Sequence, residues 1–530
     1  MRAVLAFAPG ADPTYVPLGL AALTAHVRAA VPGRELVPVD LSHAWWEQQA
    51  LDEPVVADLR ADLRRPGAGF FDPLAQESRR LVWNRTAARL PALVAASRRY
   101  LEQDALDPAL RGVLETGAAA ILRHEPDWIG FSMLYPGQVL PTLALARFLA
   151  QEVLPPAGDA ARPPLVLGGA SASALRPAEV LRACPWLDGI FAGEGEQGLV
   201  RLLGGAPPAA VAGLAWRDHG IVRTNRKPDT LAAGGVPLPM FEDLDPPARW
   251  NPTPVLPVVF SRGCKWRRCR FCAHNLSYSG YRRQAAARFA DYLGALQDRW
   301  GADHFIFADQ YVDAEDLEDL ARAITERGLR LHFHVMGRPT AAYTRARLEL
   351  LARAGCRWIS WGVETGSARL LEACGKGTTP AEIRQVMTDA ADAGIHNLMM
   401  MIFGLPGSTD ADLQATLDLV ADLGAAAGGV TSSRFQLFDR TPYAVRAEAH
   451  GLRVTGREVL FSRGGQPVHS LRLFHQERAA DGSWRPPRST LELARWDEFC
   501  RWTRPASPLD GLCCEHTLLH AARRGEPVAG

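Results

Sequence analysis

The fold of this chain is decided by the stretch Ser261-Arg262-Gly263-Cys264-Lys265-Trp266-Arg267-Arg268-Cys269-Arg270-Phe271-Cys272. Its three cysteines follow the spacing Cys-x4-Cys-x2-Cys. Three thiolates can bind three irons of a 4Fe–4S cluster, and the fourth iron then stays open to an external ligand. The flanking lysine and arginine side chains favour the thiolate form that metals bind. The stretch therefore indicates a metal centre that carries out chemistry, with Cys264, Cys269 and Cys272 as its ligands.

Two other interpretations of these cysteines stay open. His274 could complete a tetrahedral zinc site, because three cysteines and one histidine are a common zinc ligand set. The thiols could also be buried structural cysteines, although their basic flanks argue against it. The remaining cysteines show no ligand spacing apart from one adjacent pair, so a second cluster is not expected; they are Cys184, Cys356, Cys374, Cys500, Cys513 and Cys514.

The composition excludes several classes of protein. At 530 residues, with 47% hydrophobic and 22% charged residues, the chain predicts a globular protein of about two to four domains. A net charge of +1 gives no general attraction to nucleic acid or to a membrane surface, so neither is expected as a partner. We expect a cytoplasmic protein, because the sequence shows neither a signal peptide nor a long apolar run and its odd number of cysteines, nine, fits reduced thiols.

Residues 1–210 alternate apolar strands with amphipathic helices, which predicts a parallel, doubly wound α/β sheet of the Rossmann-like kind. Residues 43–125 lack strand patterns and have helical periodicity, so we interpret them as a helical insertion. Ligands of doubly wound sheets bind beyond the carboxyl ends of the strands. Two glycine-rich stretches fall at such ends, namely Gly168-Gly169 and Gly193-Glu194-Gly195-Glu196.

A hairpin and a proline-rich linker, residues 211–254, precede a second alternation in residues 255–445, and residues 446–530 form a C-terminal tail whose fold the sequence does not predict. Six strand–helix units predict a partial barrel in which the cysteines follow the first strand, at the face where barrel enzymes place their chemistry. The predicted strands are Val258–Ser261, His304–Ala308, Leu331–Met336, Trp358–Gly362, Leu398–Phe403 and Arg434–Phe438.

With these elements in place, the chain resembles the radical S-adenosylmethionine (SAM) superfamily, and within it the subfamily that carries a cobalamin-binding domain. The resemblance covers roughly residues 1–445 and depends on the order of several short motifs. Besides the cysteine stretch, these are Pro126-Asp127-Trp128-Ile129-Gly130-Phe131-Ser132, Leu167-Gly168-Gly169, Gly193-Glu194-Gly195-Glu196, Gly362-Val363-Glu364-Thr365-Gly366-Ser367, Lys376-Gly377 and Gly404-Leu405-Pro406-Gly407.

The resemblance implies a 4Fe–4S cluster whose open iron chelates the amino and carboxylate groups of SAM, followed by reductive cleavage to a 5′-deoxyadenosyl radical. It also implies a set of cofactor-binding residues in the barrel: Phe271 along the adenine, Asp309 and Gln310 near the methionine amino group, Arg338 on the methionine carboxylate, and Gly362 and Glu364 at the end of the fourth strand. The alternative for the charged residues is surface ion pairing, and for Phe271 it is ordinary packing.

Three features depart from the family pattern. The commonest spacing is Cys-x3-Cys-x2-Cys, so one residue is inserted here. Ser408-Thr409 replaces the usual Glu-Thr, and Asp439-Arg440-Thr441-Pro442 replaces the usual Pro-Gly-Thr-Pro. Contacts of the fifth and sixth strands with substrate or ribose are therefore not predicted.

Cobalamin is implied by the resemblance of the first domain. The sequence has no Asp-x-His-x-x-Gly motif, so no histidine is expected on the cobalt. The segment that ends the third strand, with Ser132 and Tyr135, is expected to cover the lower face of the cofactor. Gly168, Gly169 and the Gly193–Glu196 turn are expected to admit its nucleotide tail. The alternative is a vestigial domain that binds nothing, because fold resemblance alone does not establish a ligand.

The function that these expectations favour is a cobalamin-dependent radical SAM methyltransferase acting at an unactivated carbon of a natural product or a peptide. An external electron donor, such as a flavodoxin or a ferredoxin, is implied as well. The alternative within the family is a rearrangement or cyclisation without methyl transfer. A third hypothesis, from another class, is a zinc- or cobalamin-binding regulatory protein without turnover.

Overall fold

The structure is a computed structural model, and it describes residues 1–155, 162–231, 234–235, 238–274, 278, 280–479, 481–503 and 512–524. The chain divides into two compact units. The first comprises Met1–Thr253 and Glu458–Leu471, and the second comprises Pro254–Arg457 and Arg472–Gly530. Parts of the predicted linker and of the C-terminal tail lie outside the described residues.

A seven-stranded sheet forms the centre of the first unit, in the order β2-β1-β3-β4-β5-β6-β7. Five strands are parallel to one another, and the hairpin of β6 and β7 extends the sheet with antiparallel pairs. The prediction of a doubly wound α/β sheet is confirmed. The strands are β1 Arg2–Phe7, β2 Glu35–Asp40, β3 Trp128–Ser132, β4 Leu165–Gly168, β5 Gly189–Phe191, β6 Leu214–Asp218 and β7 Ile221–Thr224.

Every residue of β3 is buried, as expected for a central strand of a parallel sheet with both faces covered. In register, β1 pairs with β2 on one side and with β3 on the other, so chain order reverses at β1. Such a reversal opens a crevice at the carboxyl ends of the two diverging strands. The loops after β1, β3, β4 and β5 therefore share the edge of the sheet where the predicted glycines lie.

Ten helices accompany this sheet in the described part of the first unit. They are α1 Leu18–Ala30, α2 Leu41–Asp52, α3 Pro54–Leu63, α4 Pro73–Ala87, α5 Arg89–Gln103, α6 Pro108–Leu122, α7 Val139–Phe148, α8 Ala170–Ser173, α9 Pro177–Ala183 and α10 Glu196–Leu203. Aspartate side chains cap three helices of the inserted region by accepting from backbone N–H groups of the first turn: Asp40 on α2, Asp72 on α4 and Asp107 on α6.

The second unit is built on an open six-stranded parallel sheet in the order β8-β11-β12-β13-β14-β15. Sequential neighbours in a parallel sheet with intervening helices are the topology of a partial barrel. Its strands are β8 Val255–Val258, β11 His304–Phe307, β12 His332–Gly337, β13 Cys356–Glu364, β14 His396–Phe403 and β15 Gly429–Arg434, and a short ribbon pairs β9 Ser261–Arg262 with β10 Arg282–Arg283. The helices are α11 Ala286–Trp300, α12 Ala314–Glu326, α13 Arg345–Arg353, α14 Ala368–Ala373, α15 Pro380–Asp392 and α16 Asp410–Leu423.

Two predicted barrel strands are misplaced. The first strand is Val255–Val258 rather than Val258–Ser261, and Ser261 belongs to the short ribbon. The sixth is Gly429–Arg434 rather than Arg434–Phe438. Most of β15 is exposed, because it is an edge strand, so it lacks the apolar pattern from which we predicted the others. The apolar Phe435 and Leu437 that suggested a strand instead pack in a separate core cluster with Leu473.

Two small elements follow the barrel, β16 Leu437–Phe438 and α17 Pro442–Val445. The C-terminal tail then consists of β17 Leu452–Arg463, β18 Gln466–Arg478, β19 Trp484–Arg485, α18 Ser489–Thr503 and α19 Cys514–Arg524. A two-residue turn joins β17 to β18, and both of its residues, Gly464 and Gly465, have positive φ, as tight hairpin turns require. The tip of this hairpin, Glu458–Leu471, belongs to the first unit.

The hairpin tip is part of the first unit's hydrophobic core. Phe461 and Val468 are fully buried in the cluster that contains β3 and α7 residues. Arg463 donates to the carbonyl of Leu101 at 2.7 Å, and His469 N–H donates to Glu179 at 3.0 Å. The C-terminal tail thus contributes structurally to a unit otherwise formed by residues 1–253.

No helix in the described ranges combines the length and the apolar character needed to cross a bilayer.

Replacing Phe461 by Ala should lower the free energy of unfolding by about 3–5 kcal/mol, because a buried aromatic side chain is removed and a cavity remains. Urea unfolding followed by circular dichroism measures the change. Phe474 lies on the same hairpin but is 48% exposed, so Phe474→Ala is the matched control and should cost much less. Equal losses in both variants would contradict the buried position of Phe461.

Candidate active site

The cysteine loop is the segment between β9 and β10. These two short strands pair in antiparallel fashion and close its neck. Gly263, at the neck, has φ +82°, and a side chain there would bring Cβ to 2.2 Å from the carbonyl oxygen of Gly280. Only glycine therefore allows the two ends of the loop to approach so closely. The loop starts beside the carboxyl end of β8, as the sequence predicted.

The three cysteines of the loop are thiols outside any disulfide in the described structure, and each is half-buried. Burial raises the pKa of the Cys269 thiol to about 12, and the nearby Lys376 ammonium acts in the opposite direction. No group of three or more His, Cys, Asp or Glu side chains is placed to hold a single metal ion in the described ranges, and His274 is exposed. A 4Fe–4S cluster does not need such convergence, because each thiolate binds a different iron. The donor set, three thiols in one loop, fits a cluster better than it fits zinc.

The loop is bonded to the segment Ala373–Gly377, which follows α14. Arg270 N–H donates to the carbonyl of Cys374 at 2.8 Å, and Arg270 Nη1 donates to that of Ala373 at 2.6 Å. In turn, Tyr443 N–H donates to the carbonyl of Arg270 at 3.1 Å. Backbone groups of an irregular loop are thereby paired with protein instead of water. Phe271 packs at the margin of the core cluster that includes Leu370. Its predicted contact with adenine stays a prediction.

Asp309 follows β11 and is buried. Its carboxylate accepts from the backbone N–H of Phe260 at 3.0 Å and from the hydroxyl and backbone N–H of Ser261. Burial raises the pKa of Asp309 to about 7, against the lowering effect of these hydrogen bonds. In the structure, Asp309 therefore holds the strand end that leads into the cysteine loop. Its predicted contact with the methionine amino group stays a prediction.

Gln310 and Arg338 carry polar atoms that suit an amino acid ligand. Gln310 Oε1 and Arg338 Nε are buried and have no hydrogen-bond partner in the described part of the chain. The first is an acceptor for an ammonium group and the second a donor for a carboxylate. The residues follow neighbouring strands, β11 and β12. The methionine part of SAM carries one ammonium and one carboxylate, so it offers a partner for each of these two atoms.

Glu364 ends β13 and forms a buried ion pair. Its Oε1 lies 2.6 Å from Lys376 Nζ, and the two side chains are only 10% and 8% exposed. Burial by itself would lower the pKa of Lys376, but the Glu364 carboxylate raises it above its usual value. Glu364 also has φ +69° at a register shift of the strand, a strained conformation for a residue other than glycine.

Gly362 makes room for this pair. A Cβ at Gly362 would lie 2.5 Å from Lys376 Nζ and 3.0 Å from Glu364 Oε1. The glycine at this position is thus explained by the ion pair, and its predicted place in cofactor binding stays a prediction. Sequence reasoning noted Lys376 only as part of a motif, without a role. The short motif Lys376-Gly377 does not show that Lys376 is buried, because the partner that allows its burial, Glu364, lies in β13.

The residues around the departures at the fifth and sixth strand ends have local structural roles, and that of Ser408 explains one departure. Ser408 donates to the buried carboxylate of Glu492 in α18, which also accepts from Gly404 N–H at 2.7 Å. Thr409 caps α16. Thr441 caps α17, the short helix of residues 442–445. These residues therefore serve local structure and the packing of the tail.

In the first unit, the predicted residues after β3 lie at the carboxyl edge of the sheet. Ser132 is buried, whereas Tyr135 is 39% exposed. The Tyr135 ring makes an edge contact with Tyr15, with 6.1 Å between centroids. Gln138 Oε1 holds the turn by accepting from the N–H groups of Leu134 and Tyr135, both at 2.9 Å. An exposed aromatic ring on a rigid turn can cover an apolar ligand face, and that role stays a prediction.

The glycines at this edge are not equivalent. A Cβ at Gly169, where φ is +93°, would lie 2.4 Å from the carbonyl oxygen of Met133, and one at Gly193 would lie 2.7 Å from Pro228. These two glycines are required by the protein's own packing. By contrast, a Cβ at Gly168 meets no atom closer than 3.8 Å, and one at Gly195 meets nothing within 4 Å.

A side chain at Gly195 would therefore enter open space, whereas a Cβ at Gly168 would make ordinary van der Waals contact with Phe191 and with the carbonyl oxygen of Phe131. The carboxylates of Glu194 and Glu196, in the same turn, belong to buried residues. None of the loops that follow β1, β3, β4 and β5 contains a histidine, and the absence of a histidine ligand on cobalt stays a prediction. Burial lowers the pKa of His43, in α2, to about 3.

A groove of about 730 Å³ lies between α2, α5 and α6. Small side chains form much of its wall, and paired charges such as Arg99 and Asp107 line it. None of the residues predicted for cofactor binding lines this groove, so it is separate from the candidate site.

The comparisons with known proteins agree with this geometry. The family model of the radical SAM superfamily matches residues 258–420. These residues form a radical SAM domain. Such a domain implies a 4Fe–4S cluster and SAM, and it makes the chain an enzyme rather than a regulatory protein.

Two curated relatives match over part of their length. An uncharacterized methyltransferase of Pyrococcus horikoshii is 27% identical over 321 residues, 58% of this chain and 66% of the relative. An anaerobic magnesium-protoporphyrin IX monomethyl ester cyclase of Rubrivivax gelatinosus is 24% identical over 318 residues, 56% of this chain and 54% of the relative. The matched region thus spans about one half to two thirds of the length of these relatives.

Two solved structures share the fold over most of the chain. The radical SAM methyltransferase TsrM from Kitasatospora setae, with tryptophan substrate and a SAM analogue bound, matches with a TM-score of 0.58 at 18% identity and covers 86% of this chain and 78% of TsrM. The cobalamin-dependent radical SAM enzyme OxsB, with aqua-cobalamin bound, matches with a TM-score of 0.59 at 17% identity and covers 84% of this chain and 60% of OxsB. The predicted fold of a Rossmann-like domain followed by a radical SAM barrel is confirmed.

The Glu364–Lys376 pair predicts a specific pattern of stability. Lys376→Met or Glu364→Gln alone should lower the free energy of unfolding by about 3–5 kcal/mol, because each leaves an uncompensated buried charge. The double variant should recover most of this loss, since both charges are gone. Urea unfolding monitored by tryptophan fluorescence measures all three variants.

The matched control is the exposed pair of Arg384 and Asp422, which are 42% and 57% exposed. Arg384→Met should cost at most about 1 kcal/mol. Additive losses in the double variant would contradict a coupled buried pair. Glu364→Gln is also expected to weaken SAM binding about tenfold or more.

Proposed function

We propose that this chain is a cobalamin-dependent radical SAM enzyme, and that it transfers a methyl group to an unactivated carbon of a natural product or a peptide. The observation that carries the proposal is the cysteine loop at the carboxyl end of β8, beside two buried polar atoms, Gln310 Oε1 and Arg338 Nε, that lack partners in the described structure. The fold shared with TsrM and OxsB supports it.

When bound, the cluster supplies the electron that cleaves SAM, and cobalamin supplies the methyl group. The protein's own residues do the rest. Cys264, Cys269 and Cys272 hold the cluster. Gln310 accepts from the methionine ammonium, and Arg338 donates to its carboxylate. The buried strands β11, β12 and β13 fix the residues at their ends, and such fixed positions are how a protein orients reacting groups.

The first unit holds cobalamin in this proposal. Gly195 borders open space beyond the strand ends, Gly168 admits a Cβ without a close contact, and Tyr135 presents an exposed ring at the same edge. No residue in the adjoining loops offers an imidazole to the cobalt, so the lower face is covered by other side chains.

A second candidate, a cyclisation or rearrangement without methyl transfer, is favoured by the likeness to the magnesium-protoporphyrin ester cyclase. The mass of the product separates the two candidates: methyl transfer adds one methyl group to the substrate, whereas cyclisation does not. In either case the partners are a small-molecule or peptide substrate and an external electron donor such as a flavodoxin or ferredoxin. Arg267 and Arg268, exposed beside the cluster loop, support an acidic donor.

Replacement of Cys269 by Ala should abolish the formation of 5′-deoxyadenosine from SAM, because one iron loses its ligand. The measurement is chromatography of anaerobic reactions with dithionite as reductant. Cys356, a buried cysteine within β13, provides the control, and Cys356→Ala should retain cleavage. Continued cleavage by the Cys269 variant would overturn the assignment of the cluster ligands.

Wild-type protein should retain cobalamin after anaerobic loading with hydroxocobalamin and desalting, as judged from the visible spectrum. Gly168→Val should weaken retention, because it adds bulk at the strand end proposed for the cofactor while a Cβ there meets no protein atom closer than 3.8 Å. Gly169→Val is unsuitable as a probe, since it would collide with Met133 whether or not cobalamin binds.

Gly112→Val, at an open position in α6, is the control and should retain the cofactor, as should His43→Ala and His124→Ala. A wild type without cobalamin would indicate a vestigial domain. Loss confined to a histidine variant would indicate a histidine ligand on the cobalt.

A further inference from the structure

Trp266 lies in the four-residue spacer between Cys264 and Cys269 and is held by three contacts. Its Nε1 donates to the carbonyl of Gly375 at 2.8 Å. The guanidinium of Arg338 lies 4.1 Å from the centre of its ring, and that of Arg268 lies 4.9 Å away. Both distances are within the range of cation–π attraction. The half-buried indole therefore joins the cysteine loop to two other parts of the barrel mouth.

The segment opposite the indole is shaped to receive it. Gly377 has φ +69°, and a Cβ there would lie 2.1 Å from the Trp266 ring. Gly375 has φ +71°, and a Cβ there would lie 2.6 Å from the carbonyl oxygen of Arg268. Arg338 Nη1 donates to the carbonyls of Lys376 at 3.0 Å and Gly377 at 2.7 Å. Gly375, Gly377 and Arg338 thus form the surface against which the Trp266 ring packs closely.

The spacer between Cys264 and Cys269 makes a sharp backbone turn next to this contact. Arg267, directly after Trp266, has φ +52°, which is unusual for a residue other than glycine. A left-handed residue turns the backbone sharply, and here the turn comes between the indole and the second cysteine. The four-residue spacer thus holds both the indole that packs against Gly375–Gly377 and the left-handed Arg267 that follows it.

We propose that Trp266 is a positioning residue of the cluster. Its indole fixes the cysteine loop relative to the segment that carries Lys376, and through Lys376 relative to Glu364. The inference rests on the proposed function, because its consequence concerns SAM: the open iron and the groups that receive methionine must keep one spacing for SAM to chelate the iron. Arg338 has two roles in this arrangement: Nη1 bonds to the carbonyls of Lys376 and Gly377 and the guanidinium stacks on Trp266, while Nε stays available to a ligand.

The test compares Trp266→Ala and Trp266→Phe with wild type. Phenylalanine keeps a ring over the guanidinium groups but loses the Nε1 hydrogen bond. The first readout needs no cluster: hydrogen–deuterium exchange of the peptide covering residues 264–272 in cluster-free protein. We expect faster exchange in Trp266→Ala, since Arg270 N–H and its neighbours lose their fixed partner segment. Trp266→Phe should be intermediate.

The second readout is spectroscopic. Dithionite-reduced, reconstituted protein is measured by electron paramagnetic resonance with increasing SAM, alongside iron content. Wild type should show a SAM-dependent change of the cluster signal. Trp266→Ala should bind iron as wild type does yet need about tenfold or more SAM for the same change, and Trp266→Phe about fivefold, which corresponds to the loss of one hydrogen bond.

Trp300 is the matched control, because Arg299 stacks on it at 4.9 Å at the end of α11, outside the cysteine loop. Trp300→Ala should leave both readouts unchanged. Wild-type exchange and wild-type SAM response in both Trp266 variants would overturn the proposal, as would equal effects in Trp300→Ala. A wild type that forms no cluster would overturn the proposed function, while the exchange experiment would still decide whether Trp266 holds the loop.

Discussion

The second unit depends on the attachment of the cysteine loop to the five residues Ala373–Gly377. A loop without regular structure leaves backbone groups unpaired, and such loops are ordinarily mobile. Here Arg270 gives both its N–H and its side chain to that segment. Because the same segment presents Lys376 to Glu364, one set of contacts joins the loop of the predicted cluster ligands to the buried charges. A change in either part is transmitted to the other over a few bonds.

The sequence allowed most of the architecture to be predicted, because buried parallel strands are continuous apolar runs and their carboxyl ends can be located from the residues that follow. It failed at β15, an exposed edge strand with polar residues such as Ser432 and Ser433. The candidate residues at strand ends could be named, but their partners could not. Asp309 bonds to Ser261, 48 positions away, and Arg338 bonds to Lys376, 38 positions away. Such pairings depend on how the loops fold, and loops have no periodic sequence pattern from which their path can be predicted.

For the glycines, too, the sequence does not reveal the contacts that each residue makes in the fold. The sequence indicates that a residue without a side chain is needed, but not which neighbour requires the space. At Gly169 the neighbour is the backbone of Met133, at Gly362 it is the Lys376 ammonium, and at Gly195 no atom lies within 4 Å of a Cβ. Only the last kind lies in open space. The distinction matters for the first unit, where Gly169 is required by packing while Gly195 is not.

The polar groups of the barrel mouth are distributed unevenly, and this distribution is what the proposed binding of a polar ligand rests on. At the ends of β14 and in the loop after it, Gly404 and Ser408 are bonded to Glu492 of α18. At the ends of β11, β12 and β13, by contrast, lie an unpaired acceptor on Gln310, an unpaired donor on Arg338 and the strained, ion-paired Glu364. Unpaired buried polar atoms cost stability, as does a backbone conformation of this kind, and proteins retain such features at functional sites. A ligand with one ammonium and one carboxylate would satisfy the first two groups at once, and the cysteine loop at the end of β8 is adjacent to them through β11. The chemistry of the strand ends and the place of the thiols thus point to the same side of the barrel.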